Sequence, residues 1–127
     1  MSHITTMALV ITDLAALKSA VRELGAELVA ASTFASYQHG LVCEHKIKLP
    51  GCSYEIGVQK QNDGGYKLAF DFFSEGQKLQ AKFGAGCKKI AQMYAVHKAT
   101  AEARRKGYTV RREVGKNGTI KLQVTGV

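Results

Sequence analysis

The 127-residue chain is 46% hydrophobic and carries a formal net charge of +8 at pH 7. Its length excludes two domains of ordinary size, and its hydrophobic content excludes a disordered chain. Three cysteines without a CxxC pair exclude a disulfide framework, and the apolar run at residues 7–11 is too short for a signal-peptide core or a membrane span. We therefore expect a single domain over residues 1–127, located in the cytoplasm with reduced thiols.

The charge is distributed unevenly along the chain. Residues 1–77 hold six Lys and Arg against eight Asp and Glu, whereas residues 78–127 hold twelve against two. Such a concentration of positive charge attracts anionic partners over long distances, and nucleic acid is the commonest of these. A basic surface that only keeps the protein soluble is the plainer alternative.

The first part of the chain predicts a strand at residues 4–11 and then a helix. Thr12 or Asp13 is expected to cap this helix, and Gly25 is expected to follow its last turn. The spacing of its apolar residues by three, four and three positions predicts one buried stripe, formed by Leu14, Leu17, Val21 and Leu24.

The middle of the chain predicts four more strands, at residues 27–31, 41–49, 54–59 and 66–72. The last three alternate apolar and polar side chains. Residues 62–65, Asn-Asp-Gly-Gly, tolerate positive φ and predict a hairpin turn. Residues 32–40 are expected to be irregular.

The basic part of the chain predicts a long helix followed by a hairpin. The helix covers residues 87–106 and ends at Gly107. The hairpin strands lie at residues 108–114 and 120–125, around a turn at residues 115–118. One face of this hairpin is apolar, and we expect the long helix to cover it.

The predicted element order is β-α-β-β-β-β-α-β-β. It indicates an α+β fold, a two-layer sandwich in which a mostly antiparallel sheet carries two helices on one face. A ferredoxin-like arrangement with an extra C-terminal hairpin is one form of this prediction.

Several short motifs along nearly the whole chain resemble those of a known family. They are Met1-Ser2-His3, Asp13-Leu14, Tyr54-Glu55-Ile56-Gly57, Tyr94-Ala95-Val96-His97, Gly107-Tyr108 and Asn117-Gly118-Thr119-Ile120-Lys121-Leu122. The family is a conserved open-reading-frame family of plastids and cyanobacteria, with members in other bacteria and in phages. It is classed as a domain of unknown function, so the resemblance implies no catalytic residues.

Four residues within a short segment have side chains that can bind zinc: His39, Cys43, His45 and Cys52. Structural zinc sites usually contain two closely spaced ligand pairs, and only one such pair is present here. Cys43 and His45 also occupy apolar positions of a predicted strand, where a buried cysteine is ordinary. We expect no metal and no other cofactor.

Nucleophilic catalysis has one candidate, Cys87, which lies beside two lysines near a helix start, where the pKa of a thiol can fall. His97 is ten residues further along the same helix, roughly 15 Å away. The glycines that precede the helix, Gly84 and Gly86, could suggest a phosphate-binding loop, but they do not form the Walker motif of nucleotide-binding proteins. We therefore interpret Cys87 as a small buried residue and expect no enzyme activity.

The basic residues at the long helix and the hairpin are the strongest functional signal. We predict a non-enzymatic module that binds DNA or RNA phosphates with little sequence preference. The alternative is a protein-interaction or structural subunit, such as a phage assembly component, that docks an acidic protein. The predicted contact residues are Lys88, Lys89, Arg104, Arg105, Arg111, Arg112, Lys116 and Lys121.

Overall fold

The computed structural model describes residues 4–7, 10–38 and 40–126. The helices of this part are α1 (Leu14–Glu23), α2 (Gln77–Phe83) and α3 (Lys88–Arg105). The strands are β1 (Ile4–Thr6), β2 (Glu27–Ala30), β3 (Thr33–Phe34), β4 (Leu41–Val42), β5 (His45–Lys48), β6 (Ile56–Lys60), β7 (Tyr66–Asp71), β8 (Thr109–Val114) and β9 (Ile120–Thr125). None of the described helices is long and apolar enough to cross a membrane.

The described strands form one main sheet and two small ones. The main sheet has the order β1-β7-β6-β5-β2, and each neighbouring pair is antiparallel. The helices pack on one of its faces around a common hydrophobic cluster. The predicted α+β class is therefore confirmed. In a ferredoxin-like fold, the strand after the second helix joins the main sheet. Here the strands after α3 form a separate sheet, β8-β9, so the fold is not ferredoxin-like.

The predicted first strand is shorter than expected. The strand β1 ends at Thr6, and Met7 donates its backbone N–H to the Leu68 carbonyl. Ile11 forms only an isolated bridge with Tyr66. Residues 8 and 9 of the predicted strand lie outside the described residues.

The helix α1 begins and ends as the sequence predicts. The Asp13 carboxylate accepts the backbone N–H of Ala16 at 3.0 Å, and Gly25 follows the helix with a φ of +86°. The hydroxyl of Tyr94, on α3, accepts the backbone N–H groups of Thr12 (3.0 Å) and Asp13 (3.1 Å). Since a helix start leaves its backbone donors without intrahelical partners, this contact both satisfies them and fixes α3 against α1.

The helix α2 was not predicted, so the helical layer has one more helix than expected. Leu79 and Phe83 are fully buried in the main cluster and lie one helical turn apart. Leu79, Ala81 and Phe83 alone, within a helix of seven residues, give too short a pattern for a periodic signal. Gly84, with a φ of +81°, ends this helix. Cys87, in the left-handed region at φ +58°, leads into α3.

The strand predicted at residues 41–49 is interrupted by a β-bulge. Glu44 donates its N–H to the Val58 carbonyl at 3.0 Å, while His45 is in register with the same Val58. Two residues therefore oppose one, which shifts the alternation of side chains. Cys43 packs in a second cluster with Ala69, whereas His45 shares the face of Val58 in the main cluster. The expectation that Cys43 and His45 share a strand face is therefore wrong.

The second face of the sheet is covered by part of the segment predicted to be irregular. There β3 pairs with β4, and Phe34 of β3 is buried with Cys43 and Ala69. Gly57, opposite Ala69 in the sheet, has no side chain, and Phe34 occupies the space above it. A Cβ atom at position 57 would lie 2.3 Å from Cε1 of Phe34.

Glu23 joins α1 to α3 and to the C-terminal hairpin. Its carboxylate accepts a hydrogen bond from Nη1 of Arg112 at 2.6 Å, and its other oxygen lies 2.7 Å from Nε2 of His97. The Arg112 guanidinium holds the pKa of Glu23 below its ordinary value, and His97 acts in the same direction, while partial burial opposes both. Arg112, one of the predicted contact residues, is therefore held in an ion pair with Glu23.

The fit between Gly57 and Phe34 gives a first prediction. The substitution Gly57→Ala should lower the free energy of unfolding by about 1–3 kcal/mol, because the added methyl group overlaps the ring. Adding Phe34→Ala should make the double variant less destabilised than the sum of the single ones. Chemical denaturation measures both effects. Gly115→Ala, where a Cβ meets no atom closer than 3.5 Å, is the control. Additive costs would contradict the predicted clash.

The Glu23 cluster predicts a loss of stability in acid. The pKa of Glu23 is lower in the folded protein than its ordinary value of 4.5. The contacts of the ionised carboxylate therefore stabilise the fold fully above pH 4.5, and this stabilisation is lost as the pH falls through the pKa of the folded state. The variant Glu23→Gln should cost about 1 kcal/mol at neutral pH and should have a flatter acid dependence. Denaturation between about pH 3 and pH 7 measures this. Glu102→Gln, at an exposed position of α3, is the control, and an equal effect there would refute the assignment.

Candidate nucleic-acid interface

The helix α3 carries four of the eight predicted contact residues. Its buried residues, which include Ile90 and Tyr94, hold one side of the helix against the main cluster. The helix has 18 residues, so it is about 27 Å long. Lys88 and Lys89 are exposed in its first turn, and the exposed pair Arg104–Arg105 ends it. The two basic pairs therefore lie about 24 Å apart along the helix axis.

The hairpin β8-β9 lies beside α3. Ile120 and Leu122 are half-buried against the main cluster, and the Gln92 side chain donates to the Gly118 carbonyl at 3.1 Å. The prediction that the long helix covers the hairpin holds for these residues. On the same apolar face, Val114 is 68% exposed and Val124 is 51% exposed. The outer part of that face is therefore uncovered by the described residues.

The opposite, polar face of the hairpin carries Arg111 and Lys121, two of the predicted contact residues. Nη2 of Arg111 lies 3.0 Å from the Gln123 side-chain oxygen and 3.5 Å from the Glu113 carboxylate. Glu113 is also in register with Lys121 across the hairpin. Arg111 is 72% exposed in spite of these contacts, so its guanidinium remains accessible from solvent.

A groove of about 450 Å³ separates the start of α3 from the hairpin turn. Lys88, Lys89 and Gln92 line one side, and residues 117–119, Asn-Gly-Thr, line the other. Gln92 and the turn residues were not predicted as part of the site. Their proximity results from a contact between residues 26 positions apart, which no local spacing reveals.

The other end of α3 borders a smaller cavity of about 270 Å³ between α1 and α3. Arg104 and Arg105 line it together with Asp13, Ser19 and His97. The structure thus places the predicted residues of α3 at two separate openings rather than in one pocket. In the second opening, the Asp13 carboxylate accepts the Ala16 N–H, and His97 lies against Glu23.

The eight predicted residues differ in how much their charges are already neutralised. Arg112 is engaged by Glu23, and Arg111 contacts Glu113. The other six form no ion pair with any described residue. They are Lys88, Lys89, Arg104, Arg105, Lys116 and Lys121.

The candidate metal ligands do not come together in the described part of the chain. No three His, Cys, Asp or Glu side chains there are grouped as a metal site requires. Burial, with the nearby Glu44 carboxylate, raises the pKa of Cys43, and Cys52 donates to the Glu75 carbonyl at 3.6 Å. His45 contacts the ring of Tyr66 edge-on. The fourth candidate, His39, lies outside the described residues.

Cys87 is not placed as a nucleophile. It is fully buried at the start of α3, and this burial raises its pKa to about 12. A thiol with such a pKa is protonated at neutral pH. Because Cys87 is also fully buried, its sulfur is not accessible from solvent. The interpretation of Cys87 as a small buried residue is therefore confirmed.

Comparison with known proteins identifies a family but no characterised relative. The search of curated proteins and the search of solved structures each found no match to this chain. The family described as "Protein of unknown function (DUF1257)" matches residues 20–123, which include the end of α1, the main sheet from β2 onwards, α2, α3 and most of the hairpin. The chain therefore belongs to this family of proteins of unknown function.

Proposed function

We propose that the protein binds nucleic acid through the phosphate backbone, using α3 and the hairpin β8-β9. The observation that carries this proposal is the set of six exposed cations on these elements that form no ion pair with any described residue. Lys and Arg that are free of acidic partners can replace the counterions of phosphates, and the release of those counterions drives binding.

The position of Lys88 and Lys89 adds support, because it is unfavourable for the helix itself. The start of a helix carries a partial positive charge, so cations there are repelled, and the first turn of α3 has no acidic residue to offset them. Through the helix dipole, these lysines therefore lower the stability of α3. An anionic ligand in the adjoining groove would turn the same arrangement into an attraction.

The aromatic residues near this surface favour phosphate contacts over base recognition. Stacking requires accessible rings, but Phe83 and Tyr94 are buried in the main cluster. Tyr108, at the start of the hairpin, is 42% exposed and is the single accessible ring among these three. We accordingly propose little sequence preference, since contacts to phosphates carry no direct sequence information.

We further propose that the protein acts in the cytoplasm as a binding module rather than as an enzyme. The three cysteines are unpaired, with Cys43 and Cys87 buried, which suits a reducing compartment. We also propose that the family is the plastid and cyanobacterial open-reading-frame family, with bacterial and phage members, that the sequence motifs resemble. No cofactor is part of the proposed activity.

A salt titration tests the proposal. Affinity for duplex DNA should fall linearly on a log–log plot against salt, with a slope of about −0.9 for each phosphate contacted, or about −0.7 on single strands. The variant Arg104→Ala/Arg105→Ala should weaken binding alike for all sequences and should flatten the slope by up to about 2 units. Fluorescence anisotropy with labelled oligonucleotides at several salt concentrations measures both.

The control variant Lys18→Ala/Lys67→Ala removes the same amount of charge outside α3 and the hairpin. It should leave the slope nearly unchanged. An equal loss in both variants would show that net charge, not a site, attracts the ligand. Absence of binding to duplex and single strands at low salt would reject the proposal and favour an acidic protein as the partner of this surface.

A further inference from the structure

The strand β2 lies at an edge of the main sheet, and its outward backbone groups pair with no other described strand. On one side it pairs with β5, and no other described strand pairs with its outer side. Ala31 donates its N–H to the Glu44 carbonyl at 3.3 Å, which places the pair 31–44 among the hydrogen-bonded pairs of this ladder. Because such pairs alternate along antiparallel strands, Leu28 and Ala30 direct their N–H and C=O groups outward.

This edge lacks several of the features that normally protect an exposed strand. Proline, lysine, a bulge or a covering segment usually prevents pairing with another chain. The sequence of β2 is Glu-Leu-Val-Ala, with neither proline nor lysine, and its register with β5 is regular from Glu27 to Ala30. The bulge at Glu44 and His45 lies at the end of this ladder, on the partner strand and not on β2. The outer edge is therefore open for the addition of a strand.

A basic groove runs along the same edge. It has a volume of about 360 Å³ and lies between α1 and β2, with the strand backbone on one side and Lys18 and Arg22 on the other. Both side chains belong to exposed residues, and neither forms an ion pair with another described residue. Glu27, at the start of β2, is the acidic residue of the lining.

From these observations we infer that β2 and α1 form a docking site for an extended, acidic segment of a partner protein. The segment adds to the sheet as a strand beside β2, and its backbone pairs with the outward groups of Leu28 and Ala30. Its carboxylates lie against Lys18 and Arg22. Main-chain hydrogen bonds supply affinity in this mode of recognition, and the side chains that line the edge supply specificity.

The chemistry of the edge disfavours two other occupants. Nucleic acid phosphates accept hydrogen bonds but do not donate them, so they would leave the outward carbonyls of Leu28 and Ala30 unpaired. A second copy of the chain would bring two sets of Lys18 and Arg22 together, on molecules that each carry a net charge of +8. Repulsion between these like charges opposes that pairing. An acidic peptide satisfies both the backbone and the charges.

The test uses the full chain and a fluorescein-labelled peptide of about eight alternating Glu and Val residues. Anisotropy should show saturable binding that weakens with salt. The charge reversal Lys18→Glu/Arg22→Glu should weaken it by about tenfold or more. The matched reversal Arg104→Glu/Arg105→Glu, on the proposed nucleic-acid surface, should leave it within about twofold. Equal loss in both variants would overturn the inference, because only net charge would then matter.

Two further measurements test the backbone pairing itself. The same peptide with alternate backbone nitrogens methylated cannot form the ladder, so it should not bind; equal binding would overturn the inference. In amide NMR spectra, the peptide should shift the resonances of Leu28 and Ala30 most. Shifts confined to the hairpin would also overturn it.

The variant Ala30→Pro removes one outward N–H without removing a ladder bond to β5, so the protein should fold and lose peptide binding. Circular dichroism checks the folding. Sedimentation should show a monomer in the absence of peptide, and a dimer that Ala30→Pro dissociates would assign the edge to a second copy instead. The inference does not depend on nucleic-acid binding, because it concerns a peptide bound at β2 and α1, and the two tests expect opposite effects from changes at Lys18 and at Arg104 and Arg105.

Discussion

The burial of one side of α3 is the interaction on which the rest of the C-terminal half depends. Ile90 and Tyr94 anchor the helix in the main cluster, and the Tyr94 hydroxyl holds the start of α1. A two-stranded hairpin is only marginally stable by itself, so β8 and β9 need the surface that α3 provides. Hydrophobic packing on one side of α3 therefore fixes the helix in place, and with it the positions of the basic residues at its two ends.

Local signals in the sequence predict most of the fold. The helix boundaries at Asp13, Gly25 and Gly107 follow from capping chemistry, which involves only neighbouring residues, and the structure confirms them. The bulge at Glu44 and His45 could not be predicted in this way. The bulge depends on how this segment pairs with Val58 of β6. The order of apolar and polar residues along the segment is the same whether or not a bulge forms, so the sequence pattern alone does not reveal it. Helix α2 was missed because its burial, rather than its periodicity, stabilises it.

The candidate interface was predictable in its composition but not in its detail. The concentration of Lys and Arg after residue 77 identifies the basic elements, since charge can be counted directly. The neutralisation of Arg112 by Glu23 joins residues 89 positions apart, and only the tertiary structure reveals it. The same holds for the groove beside Lys88 and for the open edge of β2, which exists because α1 carries the chain across the sheet to its far side.

The unequal burial of the two sheets has a consequence for the motions of the protein. Strand β6 is covered by the helices on one face and by Phe34 on the other, whereas most residues of β8 and β9 are exposed. Cooperative units with little buried apolar surface open far more often than the global core. We therefore expect the hairpin to open locally at a lower free energy than the sheet, so that its amides exchange with solvent through local opening. The amides of β6 are expected to exchange mainly through global unfolding.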